Sequence, residues 1–315
     1  MTTLPMSKRR LNAYYLLLIA SLIWGIAGPV IKFTLADFPP LIFLSYRFAV
    51  SALVSLVIIW LTKPKFPTQL GLSLTTIVLG FLTSTVTLGL LFIGFAETTS
   101  LAGTTISAMG PIFVAIFGVL LLRERVTRLD FFGMLLAFIG TIITIVEPVL
   151  ASEAQVLETT LRGNFFVVLS LVINAGVILL EKVVLKKGVS AATITHTAFI
   201  VGCFTMVPLT LLQYSWPTVL TTITTAPLTA HLGVWYMALL SGTLAYWLHA
   251  RGLEAVEAGE ASLFGYLSPI WAAPLALLWL GETISPPFIV GCTVIALGVI
   301  LAEYRRTVRR RKRRR

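Results

Sequence analysis

Charged side chains are scarce in this sequence. Only 12% of its 315 residues are charged, whereas an ordinary soluble domain carries about 25%. Hydrophobic residues make up 57% of the chain, and the mean hydropathy is +0.94. This composition excludes a soluble globular protein, and it also excludes a disordered chain, which needs low hydrophobicity and dense charge. The sequence therefore predicts a membrane protein.

Cysteine and histidine are scarce as well. The two cysteines, Cys203 and Cys292, lie in apolar stretches and define neither a disulfide framework nor a metal site. The three histidines lack the spacing of metal ligands, and the chain offers neither a pair of catalytic carboxylates nor a long loop that would house them. We therefore expect no enzymatic activity, no bound metal and no cofactor.

Long apolar stretches are abundant. A helix that crosses the hydrocarbon core needs about 20 mostly apolar residues, and ten stretches approach or exceed that length. They run approximately over Tyr14–Ile31, Leu41–Leu61, Gly71–Ile93, Ser100–Leu122, Leu129–Val146, Gly163–Leu185, Ala191–Leu212, Pro227–Leu248, Ala258–Leu280 and Pro286–Ala302.

Positive charge lies mainly on one side of these stretches. With the amino terminus inside, 21 of the 24 lysines and arginines flank them on the cytoplasmic side. Lys32 and Arg162 lie on the outer side, and Arg47 lies within the second stretch. Since lysine and arginine beside a span are retained in the cytoplasm, we expect a plasma (inner) membrane protein with both termini cytoplasmic.

The carboxyl-terminal tail is strongly basic, with nine lysines and arginines between Arg305 and Arg315. A tail of this kind behind a span fixes the topology and attracts anionic lipid, at about 1 kcal/mol per residue near the surface. We therefore expect the lipid bilayer and a small-molecule substrate as partners and no nucleic acid. Assembly into a homodimer is an open alternative.

An internal repeat appears at a constant offset of 158 residues, which carries Pro111 to Pro269 and Glu124 to Glu282 without a gap. The repeated unit contains five helices, and an odd number of crossings forces the second copy to enter the membrane from the opposite side. The predicted fold is thus an all-α polytopic membrane protein with ten transmembrane helices as two inverted five-helix repeats. Such repeats exchange conformations during alternating access, which predicts a transporter.

The predicted organisation follows from the repeat. It comprises a cytoplasmic N-terminus at 1–13, a first repeat at 14–147, an external linker at 148–162, a second, inverted repeat at 163–303 and a basic cytoplasmic tail at 304–315.

Several segments carry a family resemblance. They are Leu22–Gly25, Arg47, Pro111–Glu124, Gly259–Pro269 and Leu280–Glu282. At these residues the chain resembles the EamA family of the drug/metabolite transporter superfamily, from about Tyr14 to Ala302. The resemblance implies a ten-helix inner-membrane carrier that exports or exchanges small metabolites such as amino acids, or drugs, through a cavity between the repeats.

Six residues are candidates for the wall of that cavity: Trp24, Arg47, Asn174, His196, Tyr266 and Ser268. Arg47 would cost about 3 kcal/mol in hydrocarbon, so we expect it to face the interior, where it could pair with a substrate carboxylate. Snorkelling to the outer interface is the alternative. Asn174 stands where the first repeat has Trp24, and His196 or Thr197 stands where it has Arg47.

The other candidates also have simpler interpretations. Trp24 and Asn174 could serve helix packing, His196 could be a packed, hydrogen-bonded residue, and the hydroxyls of Tyr266 and Ser268 could bond to the preceding turn.

Two prolines and two glutamates are the remaining candidates. Pro111 and Pro269 each remove a backbone donor within a span, which suits a pair of gating kinks, although static bends stay open. Glu124 and Glu282 are helix-end carboxylates at opposite faces, and binding of loop amides is the favoured interpretation for both.

Carboxylates are placed mainly at loops and span ends, and Glu181 and Glu260 are the closest to being embedded. Proton coupling through a carboxylate at the midplane is therefore disfavoured. Three ways to drive transport stay open: facilitated exchange, the substrate's own gradient, and proton coupling through the titration of His196 or His249. A channel or a receptor-like protein is the alternative function, and a membrane-embedded enzyme has the least support.

Overall fold

The computed structural model describes residues 8–122, 132–133, 135–136, 139–140, 142–143, 154–256, 258, 261, 263–282 and 285–313. Regular structure in these ranges is entirely helical. The α-helices are α1 (Lys8–Thr34), α2 (Pro40–Thr62), α3 (Leu70–Phe81), α4 (Leu88–Glu97), α5 (Ser100–Ser107), α6 (Gly110–Leu122), α7 (Ala154–Lys186), α8 (Ala191–Gln213), α9 (Trp216–Thr225), α10 (Leu228–Trp235), α11 (Ala245–Leu253), α12 (Ser268–Leu278) and α13 (Pro286–Arg313).

Seven helices in these ranges are long and apolar enough to cross a membrane, and two shorter apolar helices lie at Ser268–Leu278 and Pro286–Gly298. They correspond to nine of the ten predicted spans. The fifth predicted span, Leu129–Val146, lies largely outside the described residues. The observed helices thus agree with the expected ten-helix architecture.

Local sequence explains where several helices begin. α2 starts at Pro40, and proline suits the first turn because its missing N–H has no partner there. α8 begins after Ser190, whose hydroxyl accepts a hydrogen bond from the Thr193 amide at 3.1 Å. Thr99 caps α5 in the same way through the Ala102 amide.

The third and eighth spans share a backbone irregularity. α3 and α4 are joined by a π-helical segment, Leu82–Thr87, and α10 and α11 are joined by another, Tyr236–Leu244. A π-helical segment loosens the regular hydrogen-bond ladder and is common at functional sites. The two repeats therefore carry the same irregularity in equivalent helices.

The fourth and ninth spans share a different interruption. α5 ends at Ser107 and α6 begins at Gly110, whereas a 3-10 segment, Leu263–Leu267, precedes α12. Pro111 and Pro269 lie in the first turns of α6 and α12, where proline removes no helical hydrogen bond. The prolines thus follow a break between helices and do not bend a continuous helix.

Two lysines cap equivalent helices at opposite faces of the molecule. The Lys32 ammonium, near the end of α1, donates to the Phe95 carbonyl in the last turn of α4 at 3.2 Å. The Lys182 ammonium, near the end of α7, donates to the carbonyls of Leu253 and Val256 at the end of α11, the second at 2.5 Å. A cation satisfies carbonyls that have no partner at a helix C-terminus. Both repeats use the same cap.

Glycines bring the fifth and tenth spans together. A Cβ on Gly140 would lie 2.7 Å from the Gly291 carbonyl oxygen and 2.7 Å from the Ile295 amide nitrogen. Only a residue without a side chain permits this approach. The contact joins the last helices of the two repeats.

Three features of the described chain were not expected. α9 is a short helix between the seventh and eighth spans, and most of its side chains are exposed. α7 begins at Ala154, within the predicted linker, and α13 continues into the basic tail as far as Arg313.

Candidate functional site

A cavity of about 240 Å³ lies between the two halves of the molecule. Its wall is built from spans one to four and six to nine, and the described residues of the fifth and tenth spans take no part in it. Five of the predicted site residues line it: Trp24, Arg47, Pro111, Asn174 and Ser268. Glu181 and His249, considered from the sequence as ionisable groups, line it too. The cavity is therefore shared by both repeats.

Arg47 is completely buried on α2 and lines the cavity. Its guanidinium carbon lies 5.6 Å from the centroid of the Phe48 ring and 5.5 Å from that of Phe92. In the described part of the chain, none of its three guanidinium nitrogens has a hydrogen-bond partner. Cation–π contacts offset only part of the loss of water, and a buried cation without an anion is costly. The side chain thus offers its donors to an anionic ligand.

A row of ring contacts runs from Arg47 through the cavity wall. Phe48 lies 6.1 Å from Phe199, measured between ring centroids, and Phe199 lies 5.6 Å from Tyr246. Tyr246 meets Trp24 edge-on at 5.1 Å. The indole N–H of Trp24 is occupied, since it donates to the Ser241 carbonyl at 2.9 Å. Trp24 therefore presents its ring, rather than a free donor, to the cavity.

A pair of ionisable residues lies at the other end of this row. His249 on α11 lies 5.2 Å from Trp24 between ring centroids. Its Nδ1 is 3.8 Å from Oε2 of Glu181 on α7, and both residues line the cavity. Glu181 was expected at the end of a span, as one of the two carboxylates closest to being embedded. The helix ends at Lys186, one residue beyond the predicted span, and the Glu181 carboxylate is buried where it lines the cavity.

The π-helical segments also contribute to the wall. Thr87 and Ser241, one from each segment, both line the cavity. The carbonyl of each residue accepts a hydrogen bond from the first helix of the other repeat. Ser170 on α7 donates to the Thr87 carbonyl at 2.9 Å, and Trp24 on α1 donates to the Ser241 carbonyl. The Thr87 hydroxyl has no hydrogen-bond partner among the described residues and stays available to a ligand.

Some predicted residues lie elsewhere. His196 is buried and its Nδ1 lies 3.1 Å from the Ser55 hydroxyl, and it is not part of the described cavity wall. Pro269 is not among the described lining residues either, although Ser268 beside it is. The side chain of Tyr266 and all of Glu124 lie outside what the structure describes.

Glu282 lies at the end of the molecule where α1 and α4 terminate. Its two carboxylate oxygens accept hydrogen bonds from the amides of Ser100 and Leu101, at 2.7 and 2.9 Å. These amides form the first turn of α5, where a negative charge is favoured by the helix dipole. Glu282 therefore joins the ninth span of the second repeat to the fourth span of the first.

Metal binding finds no support in the described residues, since no group of three or more histidines, cysteines or acidic residues is arranged to hold an ion. The chemistry of the cavity is that of one buried cation, one carboxylate with its histidine, and hydroxyls set among aromatic rings.

Comparisons with known proteins agree with this architecture. A crystal structure covering 92% of this chain and 96% of its own superposes with a TM-score of 0.65 at 15% sequence identity. At that identity the likeness concerns the fold alone, and it confirms the predicted all-α ten-helix class.

Two relatives span nearly the whole chain. An uncharacterized transporter of Bacillus subtilis, YyaM, is 26% identical over 306 residues, covering 94% of both chains. A probable amino-acid metabolite efflux pump of Salmonella typhimurium is 24% identical, covering 94% of this chain and 96% of its own. A probable terminal-alkyne amino-acid exporter of Streptantibioticus cattleyicolor is 28% identical over 67% of each chain.

The family comparison covers both repeats. The model of the EamA-like transporter family matches twice, over residues 11–146 and again over residues 161–304. Most of the chain is accounted for by these two matches. This multi-span membrane protein therefore belongs to the EamA-like transporter family.

Proposed function

We propose that this protein exports or exchanges small metabolites of the amino-acid class by alternating access through the central cavity. The observation that carries the proposal is Arg47, a buried guanidinium that lines the cavity and has no hydrogen-bond partner among the described residues. A substrate carboxylate supplies the missing charge and can bind the planar guanidinium with two hydrogen bonds.

The size of the cavity supports a small substrate. Its volume of about 240 Å³ lies below the range of about 300–1,000 Å³ that is usual for drug-sized ligands. Aromatic rings around Arg47 exclude water and strengthen its attraction to an anion. The names of two relatives, an amino-acid metabolite efflux pump and an amino-acid exporter, point to the same class.

The mechanism rests on the repeated backbone irregularities. Equivalent π-helical segments interrupt spans three and eight, and equivalent breaks interrupt spans four and nine. Inverted repeats can exchange their conformations, which turns a cavity open to one side into one open to the other. The Thr87 and Ser241 carbonyls lie where this exchange would alter the wall.

Counterflow in proteoliposomes tests the substrate class and the role of Arg47 together. Vesicles preloaded with one amino acid or related metabolite are mixed with the same labelled compound, and saturable accumulation identifies a substrate. We expect Arg47→Ala to weaken its apparent affinity about 100-fold, because a buried charged hydrogen-bond pair loses one partner. Arg47→Lys should recover part of it, since lysine keeps the charge but not the fork.

Arg251→Ala is the matched control. Arg251 is largely exposed and pairs with Glu254 at 2.6 Å outside the cavity wall, so its loss should leave counterflow unchanged. If Arg47→Ala binds and exchanges the substrate like the wild type, the assignment of Arg47 is wrong. Flux that does not saturate and shows no counterflow would instead favour a channel.

The proposal also covers the location of the protein, its orientation and the role of its basic tail. We place the protein in the inner membrane with both termini cytoplasmic, and the basic end of α13 on anionic headgroups. Reporter fusions at each terminus test the orientation. Flotation with vesicles of neutral and of anionic lipid tests the tail, as a soluble fusion of residues 304–315, and equal binding to both vesicles would contradict its role.

A further inference from the structure

The inner half of the cavity holds an ionisable pair that substrate binding at Arg47 does not use. Glu181 and His249 project from different helices, with Oε2 and Nδ1 3.8 Å apart. Each side chain is 11% exposed, and that exposure is to a cavity that both residues line. The pair thus has access to the cavity contents while it is shielded from the lipid.

The pair lacks the hydrogen bonds that a buried charge requires. Among the described residues, nothing donates a hydrogen bond to the Glu181 carboxylate, and the His249 ring makes none, since 3.8 Å exceeds hydrogen-bond distance. Lys182 is adjacent in sequence, but its ammonium donates to the carbonyls of Leu253 and Val256. A carboxylate in this setting is stabilised by gaining a cation.

Depth separates this pair from Arg47. α2 and α7 run in the same direction, because the loop after α2 contacts the start of α8 through Lys65 and Thr193. Arg47 lies seven residues from the beginning of α2, and Glu181 five residues from the end of α7. With the ends of the two helices at the same level, the two backbone positions are ten residues apart along the bundle, which at about 1.5 Å per residue is a difference in depth of about 15 Å.

A row of aromatic contacts connects the two sites. The contacts run from His249 to Trp24, Tyr246, Phe199 and Phe48 before they reach Arg47. The two charges of an α-amino acid are borne by groups on a single carbon atom. A small cation that moves independently of the substrate therefore suits Glu181 better than the substrate's own ammonium.

We propose that Glu181 and His249 form a proton-binding site that couples substrate export to proton entry. This rests on the proposed function. A proton from outside binds to the Glu181 carboxylate or the His249 imidazole, and after the conformational change it leaves to the cytoplasm. Only an O–H or N–H bond forms and breaks. The 3.8 Å separation lets the two groups titrate as one unit.

Other ionisable side chains lie on the helices packed around the pair. Those on the stretches of these helices that surround the pair include Arg10 and Tyr14 on α1, Lys182 on α7, His196 on α8, and Tyr246, Arg251 and Glu254 on α11 or next to it. Of these only Tyr246 lines the cavity. Glu181 is thus the carboxylate, and His249 the imidazole, that the described cavity wall offers to a proton.

Transport driven by an imposed pH gradient, compared with counterflow, tests this coupling. Wild-type proteoliposomes should accumulate substrate about 10-fold faster with a gradient than without, a factor typical of coupling between two sites. Glu181→Gln should retain counterflow and lose the stimulation. His249→Gln should reduce the stimulation by the gradient. Glu97→Gln is the control: it changes a carboxylate that is paired with Arg162 at the molecular surface, and it should keep the stimulation.

The possible results are distinct. Stimulation of Glu181→Gln by the gradient, equal to that of the wild type, overturns the proton site. Loss of counterflow in Glu181→Gln, with weakened substrate affinity, shows instead that Glu181 binds the substrate's cationic group. Absence of counterflow in the wild type contradicts the proposed function alone.

An infrared titration of the purified protein in lipid then tests proton binding without a substrate. A carboxylic-acid band that titrates in the wild type should be missing in Glu181→Gln and present in Glu97→Gln. If the two variants give the same spectra across the titration, Glu181 does not exchange protons.

Discussion

In the first repeat, the third span contains a π-helical segment, and Lys32 caps the helix that follows it. In the second repeat, the eighth span contains a π-helical segment, and Lys182 caps the helix that follows it. The side chains that face the cavity are not repeated in this way. Arg47 has no hydrogen-bond partner among the described residues, whereas His196, one of the two candidates for its counterpart, interacts with the Ser55 hydroxyl outside the described cavity wall.

This contrast separates two requirements. Exchange of conformations needs the two halves to have the same backbone weak points and the same caps. Recognition of a ligand with different chemical ends needs different side chains in the two halves. On the proposed mechanism, the scaffold is symmetric in the segments that rearrange and the lining is asymmetric in the residues that bind: Arg47 comes from the first repeat, and Glu181 and His249 come from the second.

The largest expected effect concerns Arg47, compared with His196 as one of its two candidate counterparts. Arg47→Ala should weaken apparent substrate affinity about 100-fold, whereas His196→Ala should change it less than about twofold, because His196 lies outside the described cavity wall and interacts with Ser55. Counterflow at several substrate concentrations measures both. Equal losses in the two variants would mean that the lining is functionally symmetric.

The lysine caps should give smaller and equal effects. Lys32→Met and Lys182→Met each leave helix-end carbonyls without a donor, which costs about 2 kcal/mol. Thermal unfolding in detergent should show similar decreases in Tm for the two variants, and Lys63→Met in the exposed turn after α2 serves as control. A decrease in only one variant would show that the caps are not equivalent.

The contact between repeats at Glu282 should have a more modest effect. Glu282→Gln keeps the shape but removes the charge at the start of α5, which weakens the contact by about 1 kcal/mol. A reporter cysteine measures access to the cavity from outside. Ser107 lines the cavity, and Ser107→Cys is introduced after the two native cysteines have been replaced by serine. We expect labelling by an impermeant thiol reagent to rise about threefold, and unchanged labelling would contradict a role in closing that face.

The smallest effects concern the hydrogen bonds to the π-helical segments. Trp24→Phe and Ser170→Ala each remove one donor to a carbonyl, from Ser241 and Thr87 respectively, at a cost of about 1 kcal/mol. Unfolding measurements should find similar losses in both. Thr293→Ala, on an exposed face of α13, should change stability less than either variant. A larger loss in Thr293→Ala than in Trp24→Phe and Ser170→Ala would contradict the stabilising role of these two hydrogen bonds.

Much of the fold follows from the sequence because hydrophobic length and duplication are properties of continuous segments. The offset between Pro111 and Pro269 identifies equivalent helices without any contact being known. Arg47 is also recognisable from the sequence, because a single cation inside an apolar stretch either faces the protein interior or reaches to the membrane interface. The family match over both repeats confirms the transporter assignment.

The sequence singles out Glu181 as nearly embedded and His249 as a candidate titrating group, but it does not show that they pair. The two residues are 68 positions apart, and their proximity depends on how α7 and α11 pack. The π-helical segments share no residue pattern either: four of the six residues in Leu82–Thr87 are serine or threonine, but only two of the nine in Tyr236–Leu244 are. Contacts between distant helices, rather than span positions, limit what the sequence predicts here.

The cap on α4 bears on the order in which the chain is assembled in the membrane. With the amino terminus cytoplasmic, as proposed, the ammonium of Lys32 must cross the bilayer as the first helix inserts. Its partner Phe95 is synthesised 63 residues later. The charge is therefore unprotected until the third span arrives, and the first three spans are expected to mature as one unit. A chain truncated before Phe95 should be retained by the insertion machinery or degraded.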